Sequence, residues 1–258
     1  MPPPQKKLPG HAGTHAITEE IRFMKYHVIL WRKPTPEKAF DSLCVDAFQT
    51  LSVFTELGRS SSPNYLTAWR KSDALAHEFE WTLEHFREVL LSNPINKGNA
   101  KLGELGYSMS FFSSPDEQIS LGFSLKIGNL NPLFLDTLVV TIPDSNTEAM
   151  NDLFQTFQQC AKLFHPYWGC VTEADLIVSH MPKSDRPTSV LWLNYWSDEL
   201  LQLIGPDIVK SAFGALGIQF SQGFFQIQDS PISPSSEDDM LPFKNINSQL
   251  RKYGVLSV

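Results

Sequence analysis

Glu173 and Asp175 stand two residues apart in a stretch of strand character, where an extended backbone would turn both carboxylates to one face. Carboxylates so placed are the raw material of metal-assisted hydrolysis, and His180 is close enough in sequence to assist. Two-metal chemistry needs several convergent carboxylates and usually a lysine, whereas i, i+2 pairs arise freely by chance. The other histidines offer less. His77 and His85 are eight apart on an expected helix and project in directions about 80° apart. His11 and His15 lie in a Pro- and Gly-rich tail, and His165 precedes Pro166 at an expected helix end. Cys44, Cys160 and Cys170 form neither an even disulfide set nor a thiolate cluster for zinc, and they read as buried thiols. The sequence holds no glycine-rich phosphate loop, no G-x-S-x-G elbow and no H-E-x-x-H helix. The expectation is a chain with no catalytic residue, no metal and no cofactor. A metal-dependent enzyme built on Glu173 and Asp175 is the alternative.

Acidic residues are spaced with more order. If residues 73–91 form one helix, Asp73, His77, Glu80, Glu84 and Glu88 fall within an arc of about 80°, beside the apolar stripe. Glu80, Glu84 and Glu88 are then successive like-charge neighbours, each pair costing about 0.2 to 0.5 kcal/mol. Such a ridge becomes favourable beside a positive surface. Glu237, Asp238 and Asp239, in an acidic loop expected over residues 231–239, form a second candidate contact. Twenty-eight Asp and Glu against 21 Lys and Arg leave a formal charge of -7, which opposes nucleic acid and anionic lipid and favours a basic protein.

The elements that must position these groups follow from periodicity. Residues 1–19 lack it and read as a mobile tail. Residues 21–31 read as a strand, 37–57 as a helix with Gly58 as its cap, and 73–91 as a helix with Leu75, Phe79, Leu83, Phe86 and Leu90 inward. Period-two alternation then gives strands through Leu105–Phe111 and Ile119–Ile127, joined by a short turn and therefore antiparallel. Another strand is expected at 138–142. Ser145 and Glu148 have capping-box spacing for a following helix. Strand character returns at 170–181, 190–196 and 218–227, with a helix over 206–215 and a short one over 245–253. With 42% hydrophobic residues, 18 of them Phe, a large core is available. The pattern predicts an α+β single domain over 20–258, with a mixed, largely antiparallel sheet and helices packed mainly on one face. The positively charged start, Met1 to Lys7, is followed by no apolar run, and no stretch reaches membrane-spanning length, so a cytoplasmic protein is expected.

Two aromatic segments remain, Pro166-Tyr167-Trp168-Gly169 and Trp192-Leu193-Asn194-Tyr195. In these the chain resembles the immunity protein 52 family of bacterial polymorphic-toxin systems, with similar overall order over residues 20–230. The resemblance implies a small α+β protein, encoded beside a toxin, that neutralises it by binding. The implied partner is a basic nuclease domain delivered by routes such as type VI secretion. The motif residues are expected to hold the fold instead of touching the toxin. An adaptor or assembly protein using Trp192, Trp196 and Phe224 in a stable interface is the remaining alternative.

Overall fold

The segment Lys25–Arg32, KYHVILWR, is apolar on both faces, which a strand sustains only in mid-sheet with cover on either side. A computed structural model of the chain places it there. The structure describes residues 24–35, 40–68, 70–95, 106–131, 134–177 and 186–257. The tail over 1–19, with His11 and His15, and Leu105, His180 and Met181 lie outside these residues.

In chain order the elements are β1 (Lys25–Arg32), α1 (Phe40–Ser52) running into a 3-10 turn (Val53–Leu57), β2 (Tyr65–Leu66), α2 (Lys71–Leu75), α3 (Leu83–Leu91), β3 (Tyr107–Phe112), β4 (Gly122–Ile127) and β5 (Asp136–Pro143). There follow α4 (Thr147–Asn151), α5 (Leu153–Phe164), β6 (Trp168–Glu173), α6 (Ala174–Ile177), β7 (Leu193–Trp196), α7 (Asp198–Ile204), α8 (Pro206–Leu216), β8 (Phe220–Ser221), β9 (Phe224–Gln226) and α9 (Glu237–Lys252). The strands form one sheet in the order β2-β3-β4-β5-β1-β6-β7-β9-β8. All strand pairings among the described residues are antiparallel, and the fold class is α+β.

β1 sorts its side chains between two cores. Val28 and Leu30 join α1, α3 and α5 through Leu51, Phe86 and Phe157 on the first face. Ile29 and Trp31 join α7, α8 and α9 through Leu200, Phe213 and Phe243 on the second. Each fully buried Phe or Leu contributes roughly 2 kcal/mol, so both layers drive folding. The first-face helical layer is the one the sequence leads one to expect. The second face adds its own layer over β1, β6, β7 and β9, while Ser108, Ser110, Ser124 and Lys126 keep that face of β3 and β4 polar.

Several boundaries move for identifiable reasons. Asn146, not Ser145, caps α4 by accepting from the Ala149 N–H at 3.1 Å, and the Ser145 hydroxyl instead donates to the Gln118 carbonyl. β7 is shorter than the aromatic run 190–196 because two asparagines imitate a neighbouring strand. Asn247 accepts from the Val190 N–H at 2.7 Å and donates to its carbonyl at 3.1 Å, and Asn194 does the same for Leu191 at 2.8 and 2.6 Å. The expected strand 218–227 is the hairpin β8–β9, turned at Gln222 and Gly223, whose φ angles are 51° and 87°.

Candidate partner-binding surface

The expected helix over 73–91 is two helices with an extended break between them. Phe79 and Trp81 cause the break. In a helix residues two apart point about 200° from one another, so only one could reach the core. Extended backbone sends both inward: Phe79 and Trp81 meet Phe111 with ring centroids at 5.0 and 5.6 Å. Trp81 also stacks on Phe48 at 5.0 Å and donates its indole N–H to Ser52 Oγ at 2.9 Å. Thr82 then starts α3 anew, its side chain accepting from the His85 N–H.

This corrects the single ridge. Asp73 belongs to α2, Glu80 to the break, and only Glu84 and Glu88 stay i, i+4 neighbours on one helix. Glu80 Oε2 lies 3.8 Å from His85 Nδ1, and Glu78, which the helical period left off the ridge, pairs with Arg59. Arg87 is drawn away to Asp41 at 2.7 Å. Glu84 and Glu88 have no ion-pair partner among the described residues. Leu83, 38% exposed, lies at the helix start on the side of buried Leu90, and the side of α3 that bears Glu84 and Glu88 also carries Leu91, 41% exposed. That side therefore combines these carboxylates with an apolar side chain, a composition suited to a protein contact.

Glu237, Asp238 and Asp239 are corrected in the same way. They occupy the first turn of α9 and not a loop, which explains the acidity: carboxylates there offset the partial positive charge of the helix start. Asp239 is engaged locally, its N–H donating to Ser236 Oγ at 3.2 Å and its Oδ2 accepting from the Ser233 N–H at 3.1 Å. Because Phe86 and Leu90 of α3 pack on the first core and Phe243 and Leu250 of α9 on the second, the two acidic groups lie on opposite faces of the sheet.

Glu173 and Asp175 do not share a strand face. Glu173 is the last residue of β6 and nearly buried, and Ala174 begins the helical turn α6, which leaves Asp175 exposed. Glu173, Asp144 and Asp239 act together on Tyr26, whose phenol pKa is raised by burial first and by those three charges next. Among the described residues no three His, Cys, Asp or Glu side chains are placed to hold one metal ion.

The aromatic motifs lie in the interior. Tyr167 and Trp168 are buried, and Trp168 stacks on Trp31 at 4.4 Å across the β1–β6 pair. Pro166 leads into this strand, and Gly169 fits where a Cβ would meet Leu30 Cδ2 at 2.7 Å. Trp192 is half-buried against Tyr26, and Tyr195 packs on Phe224 at 4.7 Å. Trp196 and Phe224 are buried, which removes two of the three anchors an aromatic adaptor interface would use.

The architecture has a solved counterpart. It is similar to the Pseudomonas aeruginosa T6SS protein PA0821, with a TM-score of 0.58 and 16% identity, over 90% of this chain and 73% of that one. At this identity the similarity concerns the fold alone. No protein-family model matches the sequence, and no curated protein matches it. The resemblance to the immunity protein 52 family therefore has no family match behind it. Among the described residues no helix is long and apolar enough to cross a membrane.

Missing from the sequence reading were the exposed apolar residues around α3 and those of the β4–β5 loop, Leu130 and Phe134, 48% and 46% exposed. A run such as Gly-Asn-Leu-Asn-Pro-Leu-Phe-Leu, apolar yet rich in turn formers, was the available signal.

Proposed function

We propose that this protein is an immunity protein of a type VI secretion setting, which binds and neutralises a cognate toxin in the cytoplasm and has no catalytic step of its own. One observation carries the reading: among the described residues α3 presents Glu84 and Glu88 without compensating cations, beside exposed Leu91. A basic nuclease domain is the complementary partner, since its nucleic-acid groove already favours negative charge. The fold shared with a T6SS protein and the formal charge of -7 support the same setting. Inhibition follows if the acidic face enters that groove or the bound chain covers the active site. Direct nucleic-acid or membrane binding is disfavoured by the same charge.

Co-expression with the product of the neighbouring reading frame tests this. The expected result is a stoichiometric complex and rescue of growth. Neither complex nor rescue would sink the assignment. Within a complex, Glu84→Lys with Glu88→Lys slows association at low salt by about tenfold, and the difference closes as salt screens it.

A further inference from the structure

Single exposed apolar residues need no explanation, but a group of them does. Leu91, Ile95, Leu130 and Phe134 are 41%, 36%, 48% and 46% exposed, and they collect at one corner of the sheet. Tyr107 pairs with Ile127, Lys126 with Thr137, and Arg32 with Asp136, so β3 starts, β4 ends, β5 starts and β1 ends on the same side. Beyond Leu91 the chain runs along the start of β3, on the edge whose far end pairs with β2. The Asn93 carbonyl accepts from the Ser108 N–H, and the Ile95 N–H donates to the Gly106 carbonyl, both at 3.0 Å. Gly106 lies directly against the loop that bears Leu130: a Cβ there would stand 2.7 Å from Gly128 C and 2.9 Å from Asn129 N.

The base of that loop is fixed. Asn129 donates its backbone N–H and its side-chain amide to Asp136 Oδ1 at 3.1 and 3.2 Å, while Arg32 holds Oδ2 at 3.0 Å. Apolar groups on a fixed base lose little freedom on binding, which is what an interface anchor requires. Glu88 lies one helical turn before Leu91, and Glu84 one turn before that, so the corner is rimmed by carboxylates that have no ion-pair partner among the described residues.

We infer that this corner, Leu91, Ile95 and Leu130 with Phe134 beside them, anchors the toxin interface, and that its occupant is a basic protein surface offering an apolar socket. This rests on the immunity reading above. Charge selects the occupant. A second copy of the chain would set Glu84 and Glu88 against like charge, and a nucleic acid would meet the same repulsion.

The test uses the intact chain and the catalytically inactivated product of the neighbouring toxin reading frame, with rates measured at low and high salt. Leu91→Ser with Leu130→Ser is expected to speed dissociation about tenfold or more and to leave association and its salt dependence nearly unchanged. Glu84→Gln with Glu88→Gln is expected to do the reverse. Leu241→Ser, at a 63% exposed residue of α9, serves as the remote control and changes neither rate. If the double leucine variant fails to fold, as circular dichroism would show, Leu130→Ser alone carries the test. A wild-type complex whose dissociation ignores these leucines overturns the inference while the immunity reading stands. Homodimerisation of the free chain that the leucine variants abolish overturns it too. No wild-type complex removes the immunity reading itself.

Discussion

Arg32 and Asp136 are opposite one another in the β1–β5 ladder, and both are buried, with Arg32 Nη2 3.0 Å and Nε 3.3 Å from the same oxygen, Asp136 Oδ2. The guanidinium also reaches Asp46 at 3.2 Å and the Phe164 carbonyl at 3.3 Å, and lies over the Phe164 ring. One cation thus ties β1, β5, α1 and the end of α5 together. Removing one member strands the others in low dielectric. Asp136→Ala is expected to cost about 3 to 5 kcal/mol, measured as a lower urea midpoint, and to loosen the Leu130 loop because Asn129 loses its acceptor. An unchanged midpoint would show that the pair is not load sharing.

Gly169 tests the structural role of the aromatic motif. A methyl group there meets Leu30 Cδ2 at 2.7 Å and the Ile29 carbonyl at 3.2 Å. Gly169→Ala should destabilise by about 1 to 3 kcal/mol through overpacking, and affinity for the proposed toxin partner should persist at temperatures where the variant is folded.

His27 sets a pH dependence. Burial first, and the Lys25 charge second, lower its pKa from 6.5. The unfolded chain therefore binds a proton more readily, so stability is complete above about pH 6.5 and declines as the pH falls toward the folded pKa. Denaturant titrations of wild type and His27→Gln across that window check the sign: the slope should shrink in the variant.

All three thiols are buried. Burial pushes Cys44 up to about 12, with the Asp41 charge adding and Arg87 opposing, and burial also raises Cys160 and Cys170. Thiol labelling at pH 8 should therefore follow global unfolding, the three groups appearing together in urea. Rapid labelling of one in native buffer would contradict its burial.

Glu84 and Glu88 repel one another on α3. Glu88→Lys should raise stability by roughly 0.4 to 1 kcal/mol, since it turns that repulsion into an i, i+4 attraction, while slowing association with the proposed toxin partner. Stability and binding then move in opposite senses, which separates an interaction surface from a merely solvated face.

Local physics made much of the fold legible. Alternation in β3 and β4 depends only on each strand having one buried face, and the stripe of α5 only on the helical period, so both could be read from neighbouring residues. The absence of common catalytic motifs and the acidic balance are likewise properties of the chain. What the sequence could not decide depends on partners far away in it. The break between α2 and α3 exists because Phe111, some 30 residues later, accepts Phe79 and Trp81 together. α9 begins at Glu237 instead of near residue 245 and is held in place by Asn247 bonding to Val190. Glu173 and Asp175 part company because β6 stops between them. The corner formed by Leu91, Ile95 and Leu130 arises only when the ladder order sets the start of β3 beside the end of β4. Strand pairing sets such neighbours through long-range hydrogen bonds and burial, and neither leaves a periodic mark on the segments it joins.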